Sequence, residues 1–161
     1  MGMIYSLRDL TEQRQQWRRL NKKVVFTNGV FDIIHRGHVE YLLSAKRLGD
    51  ILIVGVNSDS SVRRIKGPLR PIVNEQDRAF LLSQLVSVDA VCLFDEETPY
   101  ELIKAIVPDI LVKGADYTLD AIVGRDIVEN AGGHVQTIDF IPDRSTTNIV
   151  ETIIQRFSKS Q

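Results

Sequence analysis

The sequence has one cysteine, three histidines, one tryptophan and almost no net charge, with 20 Lys and Arg against 21 Asp and Glu for a formal −1. A lone thiol, Cys92, rules out a disulfide framework. It lies in the apolar run Val88–Phe94 and is expected to be a small core residue of a strand. Balanced charge argues against general nucleic-acid or membrane-surface binding, so any basic group must act locally. No apolar run approaches bilayer-spanning length and no apolar signal core opens the chain. The expectation is a cytoplasmic protein with neither membrane nor nucleic acid as partner. At 161 residues, 43% hydrophobic and 25% charged, the chain suits a single domain with a substantial core. No linker, internal repeat or low-complexity segment divides it. It reads as an N-terminal helical extension over residues 1–21 and a core over 22–157.

Against that ordinary background, one stretch stands out. Val24-Val25-Phe26 reads as a buried strand ending at Asn28-Gly29, and an apolar-periodic helix begins near His38. Two of the three histidines, His35 and His38, sit in the turn between them, separated by Arg36 and Gly37. Glycine beside histidine at a helix mouth suits an anion: first-turn N–H groups point outward, and a ligand can approach the backbone closely. Imidazole N–H groups there can stabilise charge that builds up in a transition state. Two rival readings remain open. Asp32, His35 and His38 have a spacing able to ligate a metal, although no further Cys/His cluster supports that. Alternatively, both histidines are satisfied surface residues at a helix cap.

The rest of the chain alternates strands and helices. Residues 6–20 read as a helix with Ser6 as N-cap and a stripe of Leu7, Leu10, Trp17 and Leu20. That stripe either packs on the domain's own sheet or supplies a homodimer contact. Strands follow at 51–56, 88–94, 110–112 and 135–141, with helices at about 75–85, 98–107, 121–130 and 148–157. Near-continuous apolar strands predict an α/β fold: a Rossmann-like, doubly wound, parallel five-stranded sheet of order 3-2-1-4-5. Ligands bind such sheets outside the carboxyl ends of the strands, where the order reverses. The unusual polar clusters fall there: His35/His38, Asp59 to Arg70, Lys113 to Asp116, and Arg144 to Thr147.

These positions yield the candidate site residues. Lys66, Arg70 and Arg78 lie in or just after a loop stiffened by Gly67, Pro68 and Pro71, and are candidates for phosphate contacts. Ser145, Thr146 and Thr147 suit both a helix cap and a phosphate. Lys113 and Gly114 end the fourth strand facing the histidine turn. Asp32 and Asp59 are candidates for substrate binding. His134, alone before a strand, is expected at the surface.

Gly29-Val-Phe-Asp-Ile-Ile-His-Arg-Gly-His38 resembles the signature of the cytidylyltransferase-like nucleotidyltransferases, which use H-x-G-H to join a nucleotide to a phosphorylated small molecule. Lys66-Gly-Pro-Leu-Arg-Pro71, Val112-Lys-Gly-Ala-Asp-Tyr117, Ile122-Val-Gly124 and Ser145-Thr-Thr147 are similar to stretches of the heptose 1-phosphate adenylyltransferases within that family. The resemblance, over roughly residues 22–155, implies ATP and a sugar 1-phosphate as substrates, with Mg²⁺ carried by the ATP. It implies catalytic roles for His35, His38 and Lys66. Nucleotide contacts would come from Gly29, Phe31, His35, His38, Arg70, Arg78, Lys113, Gly114, Asp116 and Ser145 to Thr147. Two positions depart from the family pattern. Ala115 stands where K-G-G-D-Y is usual, and Arg125 occupies a helix position with no role legible in the sequence.

No Ser/His/Asp or Cys/His pairing suggests a covalent step, and a sugar phosphate oxygen is already an anionic nucleophile. The expected chemistry is direct in-line attack on the α-phosphorus of ATP, driven by positioning and charge stabilisation. A cytidylyltransferase for a polyol phosphate such as glycerol 3-phosphate, or a non-catalytic nucleotide-binding module on the same fold, are the alternatives.

Overall fold

The computed structural model describes residues 1–115, 118–139 and 145–158. Among them, six parallel strands form one sheet: β1 (Met3–Tyr5), β2 (Val24–Gly29), β3 (Ile51–Asn57), β4 (Ala90–Phe94), β5 (Ile110–Gly114) and β6 (His134–Ile138), in the order β1-β4-β3-β2-β5-β6. The five core strands keep the expected order, with β2 and β5 at the reversal. The expected count of five is corrected to six. Met3-Ile4-Tyr5 pairs with Ala90–Cys92 at the sheet edge, and three residues are too few to show a strand's alternation in sequence.

Successive side chains of a strand point to opposite faces, and both faces are covered. Val24, Phe26, Ile53, Cys92 and Leu111 pack with Leu10 and Trp17 of α1 (Leu7–Arg19), Leu102, Ile103 and Ile106 of α5 (Tyr100–Ile106), and Val128 of α6 (Arg125–Asn130). Val25, Leu52, Val54, Val91 and Val112 pack with Tyr41, Leu42 and Ala45 of α2 (Arg36–Lys46), and Ala79 and Leu82 of α4 (Glu75–Ser83). Each fully buried aliphatic or aromatic side chain contributes about 1.5–3 kcal/mol relative to exposure. Cys92 is buried there as expected, its thiol pushed up to about 11, mainly by burial and secondarily by Glu96.

Three local expectations need correction. In α1, Ser6 caps as expected, accepting from Asp9 N, and Leu10 and Trp17 face the core. Leu7 and Leu20, however, are exposed, and Arg14 takes the inward position between Leu10 and Trp17. A guanidinium can occupy that position because its donors are matched: Nε to Ile106 O at 3.1 Å, and Nη2 to Val107 O at 3.0 Å and Asp109 Oδ2 at 3.1 Å. Second, the stretch after Ser58 is a helix, α3 (Asp59–Lys66), with Ser58 accepting from Ser61 N; its polar sequence had read as loop. Third, the expected helix over 121–130 is a 3-10 turn at Leu119–Ala121 followed by α6. Gly124 forces the break, with φ +83° and the inner face of its Cα against Ile103, where a Cβ would approach to 2.8 Å. Arg125, whose role the sequence left blank, bridges the two pieces through Asp120 at 2.6 Å and Glu129 at 2.8 Å.

Asp109 joins several elements at the amino end of the sheet. It accepts from Arg14 and, at 2.7 Å, from Val24 N, while its own N–H donates to Val24 O. Asp109→Ala would leave a 4% exposed guanidinium without its counter-charge. The expected loss is about 2 kcal/mol, below that for a fully buried pair because the carboxylate is partly solvated, measured as a lower urea midpoint at unchanged slope.

Candidate active site

The carboxyl ends of the strands open onto a cleft of about 630 Å³. β2 delivers Asn28 and Gly29, β3 Asn57, and β5 Lys113 and Gly114. Lys113 Nζ donates to Asn28 Oδ1, joining the strands that flank the reversal of order. Tyr41 enters from α2, its hydroxyl 2.8 Å from Thr27 Oγ1.

The β2–α2 turn carries the histidines. Phe31 holds a left-handed backbone, φ +50°, which costs an L-residue about 1 kcal/mol. Its ring packs against Gly29, where a Cβ would meet it at 3.0 Å, and edge-on to His38 at 5.2 Å. His38 lines the cleft and stacks on His35, with ring centroids 3.8 Å apart and planes 23° from parallel. Burial, and then the neighbouring His35, lower the His38 pKa to about 4. His38 is therefore neutral near pH 7, with one ring N–H to donate. His35 is the N-cap of α2 but makes no side-chain capping bond. The N-caps of α1, α3, α4 and α7 (Thr146–Phe157), in contrast, each accept from their own first turn.

Two acidic residues expected to meet substrate have partners within the protein. Asp32 lines the cleft, but its carboxylate accepts from Arg70 Nε at 2.5 Å, Ile72 N at 2.8 Å and Val73 N at 2.9 Å. Those bonds fasten the α3–α4 loop to the histidine turn and turn Asp32 away from the metal-ligand reading. Among the described residues no His, Cys, Asp and Glu side chains gather into a group of three able to hold a metal ion. Asp59 accepts from Arg78 at 2.8 Å and does not line the cleft.

Arg78 is itself fully buried and outside the cleft lining, with Nε on Val73 O at 2.9 Å and Nη1 on Val30 O at 2.6 Å. A guanidinium so engaged, at a position expected to contact nucleotide, supports the wall of the cleft. Lys66, closing α3, and Arg70 do line the cleft, as do Gly29, Phe31, Lys113, Gly114, Thr146 and Thr147. Ser145 caps α7 through Asn148 N at 3.1 Å and is not among the lining residues, nor is His35. Thr146 Oγ1 reaches Ile33 O at 3.5 Å, bringing the start of α7 to the histidine turn. Asp116 and Arg144 lie outside the described residues. His134 is exposed at the start of β6, as expected.

Sequence reading passed over Asn28, Tyr41, Asn57 and Thr98, all of which line the cleft. For the two asparagines a signal was present: each is the first carboxamide after an apolar strand run, at the end where ligands bind.

The chain matches the cytidylyltransferase-like family over residues 26–156. It belongs to that family, a family of nucleotidyltransferases. Bifunctional protein HldE of Syntrophotalea carbinolica is 55% identical over 154 residues, which is 96% of this chain and 31% of that protein. Bifunctional protein HldE of Wolinella succinogenes is 55% identical over 150 residues, 93% of this chain and again 31% of the relative. The chain thus spans about a third of the length of these relatives. A crystal structure of the lipopolysaccharide core biosynthesis protein from Thermoplasma volcanium superimposes with a TM-score of 0.61 at 34% identity, covering 74% of this chain and 97% of that one. Among the described residues no helix is long and apolar enough to cross a membrane.

The depressed pKa of His38 has a measurable consequence. An unfolded histidine titrates near 6.5, whereas the folded chain holds His38 at about 4. Between those values the unfolded state binds more protons, so stability falls as pH drops from about 6.5 towards 4. Urea midpoints measured across that range should decline more steeply for the parent chain than for His38→Gln.

Proposed function

We propose that this chain is an adenylyltransferase that condenses ATP with D-glycero-D-manno-heptose 1-phosphate, giving ADP-heptose and pyrophosphate in the cytoplasm. The observation that carries the reading is the uncapped first turn of α2, set beside the neutral His38 and opposite Lys113 and the start of α7. α5 and α6 also lack a side-chain cap; what distinguishes α2 is that its first turn carries His38 into the cleft, and helix N-termini favour phosphate. The HldE relatives and the lipopolysaccharide core biosynthesis protein support the heptose assignment.

In the proposed reaction an oxygen of the sugar phosphate attacks the α-phosphorus of ATP, and the bond to the β-phosphate oxygen breaks as pyrophosphate leaves. The attacking oxygen is already an anion, so no general base is required. His38 donates a hydrogen bond to an oxygen that gains charge, and as a neutral imidazole it does so without losing a proton. His35, stacked on it outside the lining, joins it as a donor once the substrates are bound. Lys66, Arg70 and Lys113 balance phosphate charge, with Thr146, Thr147 and the first turn of α7 on the leaving pyrophosphate. Mg²⁺, when bound, neutralises triphosphate charge. The cleft's cations suit a nucleotide that brings its own metal.

The preference for ATP over CTP rests on Ala115. A carboxylate there could accept from the cytosine amino group, whereas a methyl group discriminates by shape alone. The expected preference in kcat/KM is therefore about 10- to 100-fold. Pyrophosphate release is measured with ATP or CTP, each paired with heptose 1-phosphate or glycerol 3-phosphate. ATP with heptose 1-phosphate should be fastest. Faster turnover of CTP with glycerol 3-phosphate refutes the substrate assignment, and ATP retention without turnover marks a binding module. His35→Ala and His38→Ala should each reduce kcat by about 10²-fold, as loss of one transition-state donor does; near-normal rates would return both to a capping role.

A further inference from the structure

The cleft has a second half that the phosphate chemistry leaves unused. Among the described residues two carboxylates line the cleft, Asp32 and Glu97. The oxygens of Asp32 are committed to Arg70 and two backbone N–H groups. Glu97 is different: its side chain is 64% exposed and its ion contact, to Arg64 Nε, is 4.0 Å long. A contact of that length between solvated side chains contributes little, so it does not account for the carboxylate.

The loop bearing Glu97 is firmly held. Ser58 N donates to Phe94 O at 2.8 Å, and Ser61 Oγ to Glu96 O at 2.7 Å. The Ser58 and Ser60 hydroxyls and the Arg64 guanidinium all bond Asp95. On the far side Pro99 is buried at the start of α5. Glu97 and Thr98 are thus a short preorganised span between two anchors, and both line the cleft. Asn57, 3% exposed at the end of β3, lines it beside them, its Nδ2 committed to Ser61 Oγ at 3.0 Å. Its carbonyl oxygen remains as an acceptor.

We infer that Asn57, Glu97 and Thr98 form the subsite that reads the hydroxyl groups of the acceptor sugar, with Glu97 setting its specificity. This rests on the reading of the cleft as a nucleotidyltransferase site. The nucleotide phosphates belong beside His38, Lys113 and Thr146, around β2 and β5. Glu97 stands at the ends of β3 and β4, where a carboxylate would repel a triphosphate. A polyol suits it: each carboxylate oxygen accepts from a hydroxyl, Thr98 both donates and accepts, and Asn57 accepts. Lys66 and Arg70, between the two halves, then meet the phosphate of the acceptor. A site built to bond hydroxyls penalises an acceptor that leaves those groups unpaired.

The test is steady-state pyrophosphate release with heptose 1-phosphate and ATP varied separately. Glu97→Ala should raise the KM for heptose 1-phosphate about tenfold and leave that for ATP within about twofold. Thr98→Val should raise the acceptor KM about threefold. Glu97→Gln keeps an acceptor oxygen and should recover most of the lost affinity. An unchanged acceptor KM in Glu97→Ala, or an ATP KM rising in step, overturns the subsite while the proposed function stands. Absence of pyrophosphate from the parent chain with any sugar 1-phosphate overturns both.

Discussion

The site depends on a buried guanidinium. Arg78 has no solvent contact, and its donors reach Val73 O, Val30 O and Asp59. One side chain therefore joins the histidine turn, the start of α3 and the loop before α4. Asp32 does the complementary work from the other side, accepting from Arg70 and from Ile72 and Val73 N–H. Burying charges is costly unless they are paired and their hydrogen-bonding groups are satisfied, and here the three segments satisfy each other. The wall that carries Lys66 and Arg70 keeps its place relative to His38 by this mutual engagement.

Electrostatics divides the labour among ionisable groups by burial. His38 is held neutral, so it can donate to an anion without changing its own charge near pH 7. Lys66 and Arg70 remain at the cleft surface, where charge can be offered to a ligand. Arg14 and Arg78, equally cationic in sequence, are spent on carbonyls and carboxylates inside the protein. Sequence reading could not separate these two classes of arginine. Residue type gives the charge, but only the packing tells whether backbone acceptors surround it.

Much of the fold was legible because parallel strands buried on both faces read as apolar runs, and because the polar clusters fell at their carboxyl ends. β2, β3, β4 and β5 appear nearly where expected, and the histidine turn stands at the switch of strand order. What escaped was short or hidden by polarity. β1 is three residues long, α3 begins with Asp-Ser-Ser, and α6 is cut off by a left-handed glycine. Asn28 and Asn57 escaped for a different reason: an asparagine at a strand end reads first as a turn residue. Its place in a cleft emerges only when neighbouring strands are aligned. Ser145 illustrates the reverse, since the capping role written in its sequence position is the one it performs.

The brevity of β1 matters for how the protein behaves in a crowded solution. Without it, the flank of β4 would present Ala90, Val91 and Cys92 as an open row of backbone donors and acceptors. Such a row is a template on which another chain can add a strand. Met3–Tyr5 occupies that row, and being only three residues long it offers a newcomer very little ladder of its own. Met3–Tyr5 thus acts as a stopper on this flank of β4, leaving little ladder for strand addition there.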